Sequence, residues 1–235
     1  MAEVEDAMWY YRALHRHVAR QLAAGLPAPG PRVLDAGCGT GGLLRHLQAA
    51  HSGWRLTGLD FSPLACTLAR ERTRVEIVEG TIAALPFPEA TFDAVVSCDV
   101  VCQVPDAAAA LREIHRCVRP GGIVVLTLPA YAWMFSYHDR AVGNLRRYTR
   151  DEADSLVRAA GFVGEASTYW NTLPFPLAVV RRKIFPPATP ASDVRLYPAP
   201  LEALCNGAMA LERAWLRRVG GLPFGTSVLT VARKP

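Results

Sequence analysis

A short glycine-rich segment gives the first indication of chemistry. Residues 33–42 read VLDAGCGTGG. Gly37, Gly39 and Gly42 spell G-x-G-x-x-G, the dinucleotide fingerprint, whereas Gly41 in place of Gly42 gives G-x-G-x-G. Glycine lets the backbone approach a ligand closely. The segment therefore predicts a cofactor-binding turn and leaves two classes of cofactor open.

Two carboxylates near this turn distinguish those cofactors. Asp35 lies two residues before Gly37, and Asp60 ends the next predicted strand. A pyrophosphate beside Asp35 would be repelled, whereas the sulfonium and ammonium groups of S-adenosylmethionine (SAM) are cations that a carboxylate attracts. Asp60 can accept the ribose hydroxyls of either cofactor. Asp35 therefore favours SAM over a nicotinamide nucleotide.

Alternating strand and helix patterns position the turn. Runs rich in Val, Ile and Leu alternate with helical segments as far as residue 129, and two further strands are predicted at residues 162–170 and 227–234. Such alternation is typical of a parallel sheet with helices on both faces. In this doubly wound α/β fold, ligands bind beyond the carboxyl ends of the strands, near the first glycine turn.

Length and composition are those of a single globular domain spanning residues 1–235. The net charge is +5 and charged residues make up 20% of the chain, which is far from a nucleic-acid-binding tail. The six cysteines form no C-x-x-C pair, so we predict buried thiols in a reducing cytoplasm and no metal site. No signal peptide or membrane-spanning apolar run is present in the sequence.

The order of the motifs resembles the class I SAM-dependent methyltransferases. VLDAGCGTGG, LTGLDFSPLA, VEGTIAALPFPEATFDAVVS and RPGGIVVLTLP follow one another as in that family, over roughly residues 32–129. The resemblance implies a Rossmann-like seven-stranded sheet whose last strand is antiparallel, with SAM as cofactor and S-adenosylhomocysteine (SAH) as product. It also implies that the helix predicted at residues 1–26 is a lid over the cofactor, although an amphipathic helix that packs on the sheet fits the same pattern equally well. The Pro-rich and helical residues 172–222 would be an insertion between strands six and seven, on the acceptor side.

The same resemblance assigns residues to the cofactor. Asp60 would hold the ribose, Phe61 would pack on the adenine, and Cys98 would line the methionine side. Thr81 and Ile82 stand where the family has an acidic residue and its apolar neighbour. The full predicted set is Tyr11, Asp35, Gly37, Cys38, Gly39, Asp60, Phe61, Thr81, Ile82 and Cys98.

The segment after the fifth strand, residues 129–149, lies where an acceptor should bind. His138 is the predicted general base and Asp139 could orient it, although the pair could instead only fix the loop. Arg146 and Arg147 could bind an acidic acceptor or brace the loop. The predicted acceptor-binding set is Tyr131, Trp133, Tyr137, Arg146, Arg147, Tyr148 and Trp170.

These features predict methyl transfer to an oxygen or nitrogen of a small hydrophobic or aromatic metabolite, as in natural-product biosynthesis. The apolar-then-basic residues 169–185 leave open a lipid or polyprenyl-linked acceptor at a membrane surface. A SAM-fold protein without methyl transfer is a further alternative. Residues 97–106 lack the N/D-P-P-Y/F motif of many nucleic-acid base methyltransferases, so we expect no nucleic acid partner. A monomer and a homodimer are both open.

Overall fold

The computed structural model describes residues 2–26, 30–187 and 192–235. Within these residues, seven strands form one sheet. They are β1 (Arg32–Ala36), β2 (Arg55–Asp60), β3 (Glu76–Glu79), β4 (Phe92–Cys98), β5 (Val118–Pro129), β6 (Val163–Trp170) and β7 (Ser227–Arg233).

Helices connect and cover these strands. The α-helices are α1 (Ala2–Ala7), α2 (Trp9–Gly25), α3 (Gly42–Ala50), α4 (Pro63–Arg72), α5 (Ala107–Cys117), α6 (Tyr137–Val142), α7 (Arg150–Ala159), α8 (Phe175–Val179) and α9 (Ala199–Val219). Short 3-10 turns lie at Val101–Gln103 and Ala132–Met134, and one turn of π-helix follows α8 at Val180–Ile184. Among the helices of the described ranges, none is both long and apolar enough to cross a membrane.

The strand order is β3-β2-β1-β4-β5-β7-β6. β7 lies between β5 and β6 and is antiparallel to both, and the other pairings are parallel. The predicted seven-stranded doubly wound sheet with an antiparallel last strand is confirmed. Successive strands are added outward in one direction from β1 to β3 and in the opposite direction from β4 onward, so a crevice forms beyond the carboxyl ends of β1 and β4, where such folds bind ligands.

The apolar core lies on both faces of the sheet. Leu34 and Val95 pack on one face, while Val33 and Val96 pack on the other, and none of these four side chains is exposed. A strand that is buried on both faces needs apolar residues at successive positions, because neighbouring side chains point to opposite faces. This requirement explains the continuous Val and Leu runs in the sequence.

The helices α4 and α7 begin at the N-cap residues that the sequence predicts, because each cap is formed by residues within three positions of the helix start. The Ser62 hydroxyl accepts from the Ala65 N–H, directly before the proline that opens α4. Thr149 and Glu152 form the predicted capping box of α7. These contacts fix the angle at which each helix leaves the sheet.

The N-terminal helices and the insertion meet over the crevice. The Trp9 N–H donates to Glu202 of α9 at 2.8 Å. The Tyr10 ring stacks on buried Trp170 at the end of β6, with ring centroids 5.1 Å apart. Residues 188–191 of the predicted insertion lie outside the described residues. The helices before β1 and after β6 therefore share one surface above the strand ends.

Candidate active site

A cavity of about 860 Å³ lies beyond the carboxyl ends of β1, β2 and β4. We divide its lining into two parts by the elements that supply the side chains. The glycine-turn half is lined by Glu5, Tyr11, His15, Asp35, Gly37, Cys38, Gly39, Asp60 and Cys98. The outer half is lined by His138, Asn144, Arg147, Leu177, Arg181, Arg182, Asp193, Val194, Arg195 and Leu201.

The turn after β1 requires glycine. Gly37 has a φ of +98°, and a Cβ added to it would lie 2.3 Å from a methyl carbon of Val100. The N–H groups of Gly37 and Cys38 both donate to the Leu59 carbonyl of β2, at 2.7 and 2.9 Å. The turn is therefore tied to β2 and leaves open space above it.

Acidic side chains surround this turn. Asp35 is 2% exposed, and no hydrogen bond reaches its carboxylate from the described residues. Burial, with Glu5 and Asp60 adding like charge, raises the pKa of Asp35 to about 8. Asp60 accepts from the Gly39 N–H and the Ser62 N–H, each at 2.9 Å. The carboxylates leave a concentration of negative charge that a bound cation would relieve.

Glu5 is a residue of this site that the sequence patterns did not reveal. Its carboxylate accepts from the Thr40 hydroxyl at 2.6 Å and from the Gly42 N–H at the start of α3 at 3.1 Å. Arg72 lies 3.5 Å from the same carboxylate. Glu5 of α1 thus binds the glycine turn to the N-terminal helix. The residues in contact are far apart in the chain, so no local sequence pattern indicates this contact.

Asp99 lies between the two halves of the cavity. It follows β4 with a φ of +57°, a conformation that non-glycine residues seldom adopt. Its carboxyl group accepts from the Tyr10 hydroxyl at 2.8 Å and from the Thr127 hydroxyl at 3.3 Å. Burial raises its pKa. Its place one residue beyond β4 was the signal that could have identified it.

The outer half is organised by Asp193. Its carboxylate accepts from Nε of Arg181 at 2.8 Å, from Nε of Arg182 at 2.9 Å and from the Tyr137 hydroxyl at 2.9 Å. Its backbone N–H donates to Nδ1 of His138 at 3.1 Å. One carboxylate therefore joins α6 to the π-helical turn and to the segment before α9.

The Asp139 carboxylate is bonded to groups of its own loop and not to His138. It is fully buried and accepts from the Ser136 N–H at 2.8 Å, from Asn144 Nδ2 at 3.0 Å and from Arg147 Nε at 2.8 Å. Nη1 of Arg147 donates to the Ala130 carbonyl at 2.8 Å. The two neighbouring side chains of the His138-Asp139 pair diverge, and no hydrogen bond joins them, so the expected orientation of His138 by Asp139 is absent here.

The structure brings part of the predicted set together. Tyr11, Asp35, Gly37, Cys38, Gly39, Asp60, Cys98, His138 and Arg147 line the cavity. The other predicted residues lie outside its lining, namely Phe61, Thr81, Ile82, Tyr131, Trp133, Tyr137, Asp139, Arg146, Tyr148 and Trp170.

Packing explains several of these positions. Phe61 is 72% exposed beside the end of β2, where an adenine could still cover it. Tyr148 is buried under the guanidinium of Arg146, 4.4 Å from its ring centroid, on another face of the molecule. Tyr131 stacks on Trp133 and on Tyr169. These aromatic residues form packing contacts instead of a wall of the cavity.

Comparison with known proteins decides the family. The family described as "Methyltransferase domain" matches residues 34–126. The malonyl-[acyl-carrier protein] O-methyltransferase of Enterobacter lignolyticus is 30% identical over 230 residues, covering 94% of this chain and 89% of that protein. The chain belongs to the class I SAM-dependent methyltransferases.

Other relatives match this methyltransferase over a smaller part of its length and of their own. The 24-methylenesterol C-methyltransferase 2 of Oryza sativa is 30% identical over 156 residues, covering 57% of this chain. The chain spans 42% of that relative and less than half of several others. The geranyl diphosphate C-methyltransferase of Streptomyces coelicolor, solved with Mg²⁺, geranyl diphosphate and SAH, has the same fold, with a TM-score of 0.65 at 17% identity over 96% of this chain and 81% of that one.

The glycine-turn half suits SAM, the cofactor of this family. A bound cation favours the ionised form of the unpartnered Asp35, which together with its neighbour Glu5 then offers negative charge to the sulfonium and ammonium groups. Asp60, at the end of β2, keeps lone pairs free for two ribose hydroxyls. The backbone of the turn approaches closely because Gly37 and Gly39 carry no Cβ. These residues fit the cofactor in charge and in shape.

Proposed function

We propose that this methyltransferase transfers a methyl group from SAM to an oxygen or nitrogen of a small acceptor with an apolar body. The observation that carries the proposal is the continuous cavity that joins the acidic glycine turn to an outer half lined by Leu177, Val194 and Leu201. SAM supplies an activated methyl group, since its sulfur leaves as a neutral thioether. The protein must then position the acceptor and exclude water, which contributes roughly 7–11 kcal/mol in favourable cases.

Residues 2–26 and the insertion supply the enclosure. Glu5, Tyr10 and Tyr11 project from α1 and α2 into the cavity, while Leu177 and Leu201 enter from the insertion. Water exclusion strengthens every electrostatic interaction inside the cavity. We therefore assign residues 1–26 the role of a cofactor lid and residues 172–222 the role of the acceptor cover.

Asp99 is the proposed general base. Its carboxyl group lies between the two halves, is held by Tyr10 and Thr127, and has a raised pKa because it is buried. A base whose pKa is raised toward neutrality is better matched to accepting a proton from an alcohol or amine.

His138 fits a different role. Its Nδ1 accepts the Asp193 N–H, so the neutral ring carries its proton on Nε2. Burial, reinforced by the charge of Arg182, lowers the pKa of His138 to about 4. A neutral ring whose one lone pair is occupied cannot accept a substrate proton. We therefore replace the expectation of a histidine base with that of a hydrogen-bond donor.

The name of one relative supports an acceptor with an apolar body. The Oryza sativa protein is named for a 24-methylenesterol, and a sterol is largely apolar. The Enterobacter lignolyticus protein is named for malonyl-[acyl-carrier protein]. The apolar side chains of the outer half accommodate such a body.

A lipid or polyprenyl-linked acceptor at a membrane surface is the second candidate. Leu177, Ile184 and Phe185 are more than half exposed on α8 and the turn after it, next to Lys183. Apolar and basic side chains on one short helical segment are typical of contact with anionic membranes. Flotation with anionic vesicles tests this candidate, and a Phe185→Ser variant that floats equally well would remove it.

Two measurements test the proposed function. Calorimetry should show SAM and SAH binding to the purified protein. Incubation with SAM labelled in its methyl group and a cell extract should then release SAH and a labelled small molecule detectable by mass spectrometry. Binding of SAM without any SAH release would favour a SAM-fold protein that performs another reaction, and absence of SAM binding would refute the cofactor assignment.

A further inference from the structure

Arg147 presents an unused hydrogen-bonding edge to the outer half. The residue is 3% exposed, and its Nε and Nη1 are held by Asp139 and by the Ala130 carbonyl. Among the residues that the structure describes, no acceptor lies within hydrogen-bonding distance of Nη2. Because Arg147 lines the cavity, this edge can be satisfied only by what the cavity contains.

Arg182 faces the same space with unused donors. Its Nε is bound to Asp193, and its side chain is 13% exposed. The carboxylate that holds it is shared with Arg181, so two guanidinium groups are neutralised by one acid. Within the described ranges, neither Nη atom of Arg182 has a protein acceptor.

His138 adds a third donor. Since Asp193 N–H occupies Nδ1, the proton lies on Nε2, and no described residue accepts it. Burial, together with the charge of Arg182, lowers the pKa of both His138 and Arg147. The carboxylates of Asp139 and Asp193 oppose this effect, and burial remains the largest cause of both shifts.

The charges of the outer half do not cancel. Its arginines are Arg147, Arg181, Arg182 and Arg195. In the part of the chain that the structure describes, Asp139 and Asp193 form ion pairs with three of them. The guanidinium fork matches the geometry of a carboxylate or a phosphate, so an oxyanion would satisfy both the excess charge and the free donors.

We propose that Arg147, Arg182 and His138 form a subsite for an oxyanion, a carboxylate or a phosphate, carried by the methyl acceptor. The apolar part of the acceptor lies along Leu177, Val194 and Leu201. This inference rests on the proposed function and makes the acceptor an anionic amphiphile rather than a neutral aromatic metabolite.

Binding of simple amphiphiles tests the subsite directly. Decanoate, decyl phosphate and decanol, each below its micellar concentration, are titrated into the whole protein by calorimetry, with and without saturating SAH. We expect at least one of the two anions to bind tenfold or more tightly than decanol. Equal affinity for decanol and both anions would overturn the proposal.

Two variants separate the subsite from general surface charge. Arg182→Gln should weaken the preferred anion about tenfold and leave decanol unchanged. Arg140→Gln removes a guanidinium from the same helix as His138, but that group lies over the Phe135 ring and does not line the cavity. Equal losses in the two variants would refute a specific site.

Arg147 needs a variant that does not leave Asp139 unpaired. The double change Arg147→Met with Asp139→Asn keeps the region neutral, and its folding is checked by circular dichroism. The anion preference should disappear in the folded double variant. A folded variant that retains the preference would exclude Arg147 from the subsite.

Two further measurements are needed. One identifies the molecule that carries the oxyanion, and the other separates failure of the subsite from failure of the proposed function. Flotation of wild type but not Arg182→Gln with phosphatidylglycerol vesicles would assign it to a lipid headgroup. Flotation of neither would assign it to a free acceptor. The anion preference is measured without SAH as well, so loss of cofactor binding refutes the proposed function and leaves the subsite to be decided by the amphiphiles.

Discussion

The two halves of the cavity are built in opposite ways. In the glycine-turn half, backbone groups and carboxylates come from the ends of neighbouring strands, and the excess charge is negative. In the outer half, long cationic side chains come from the segment after α6 and from the insertion. The strand-end groups of the first half are therefore positioned by the sheet, with side chains of α1 and α2 closing over them, while the second half depends throughout on contacts between side chains distant in the chain.

This difference assigns each half its task. A ligand common to a whole family can be held by the strand ends, because every member has the same sheet. An acceptor that differs among members is better recognised by segments that can change without disturbing the sheet. Reversing the charge of one half should therefore affect one ligand and spare the other.

The largest expected effect comes from Asp139. Asp139→Ala leaves the buried guanidinium of Arg147 without its counter-ion and should lower the free energy of unfolding by about 3–5 kcal/mol. Denaturant titration measures the change. Asp151→Ala, at an ion pair that is 90% exposed on the acid side, is the matched control and should change little. Equal effects of the two variants would show that the outer half does not depend on its buried pair.

Substitution of Asp60 tests whether the glycine-turn half binds the ribose of SAM. Asp60→Ala should weaken SAM binding by about 3 kcal/mol, since two charge-assisted hydrogen bonds to ribose contribute about 1.5–3 kcal/mol each. Calorimetry gives the affinity, and circular dichroism checks that the turn still folds without the contacts of Asp60 to Gly39 and Ser62. Amphiphile binding without SAH should be unchanged. An unaltered SAM affinity would contradict the ribose assignment.

Substitution of Asp99 should lower the turnover rate rather than the affinity for SAM. Asp99→Asn removes the proposed base and should lower kcat about 100-fold with an unchanged SAM dissociation constant. The wild-type rate should rise with pH as the Asp99 carboxyl group ionises, and this dependence should vanish in the variant. A pH profile of the same shape in both proteins would exclude Asp99 as the base.

The smallest expected effect on ligand binding is the pH dependence of SAM affinity in the glycine-turn half. The folded protein holds the Asp35 proton up to a pKa of about 8, so the free energy of unfolding should fall as pH rises from about 4 to about 8. Binding of a cation requires the ionised form, so SAM affinity should rise about fivefold between pH 7 and pH 8. Asp35→Asn should bind SAM with no such rise. A rise of equal size in that variant would assign the effect to another group.

Sequence patterns predicted the fold and the strand-end residues of the first half because both are encoded locally, whereas Glu5 was missed. The apolar strand runs, the glycines at 37 and 39, and the capping box at Thr149 all act within a few residues. Asp35 and Asp60 were found for the same reason, as each stands at the end of a recognisable strand. The assigned roles of the site residues remain predictions.

The outer half was only partly predictable because its contacts are remote in sequence. Asp193 joins Tyr137, Arg181 and Arg182, and no pattern along the chain marks it. Arg147 was found, but its neighbour Arg146 was placed in the same set although its side chain lies over Tyr148. Adjacent residues outside regular structure can point to different faces, and only the packing of the whole molecule decides which one faces the cavity.

The bond between Glu5 and the start of α3 joins the N-terminal helix to the wall of the cavity. A nucleoside that entered over α1 would have to separate this acid from Thr40 and Gly42 and leave the amino end of α3 without its partner until the helix returned. Lifting and resealing of that short segment would then govern how fast spent cofactor departs, whatever the speed of the chemical step.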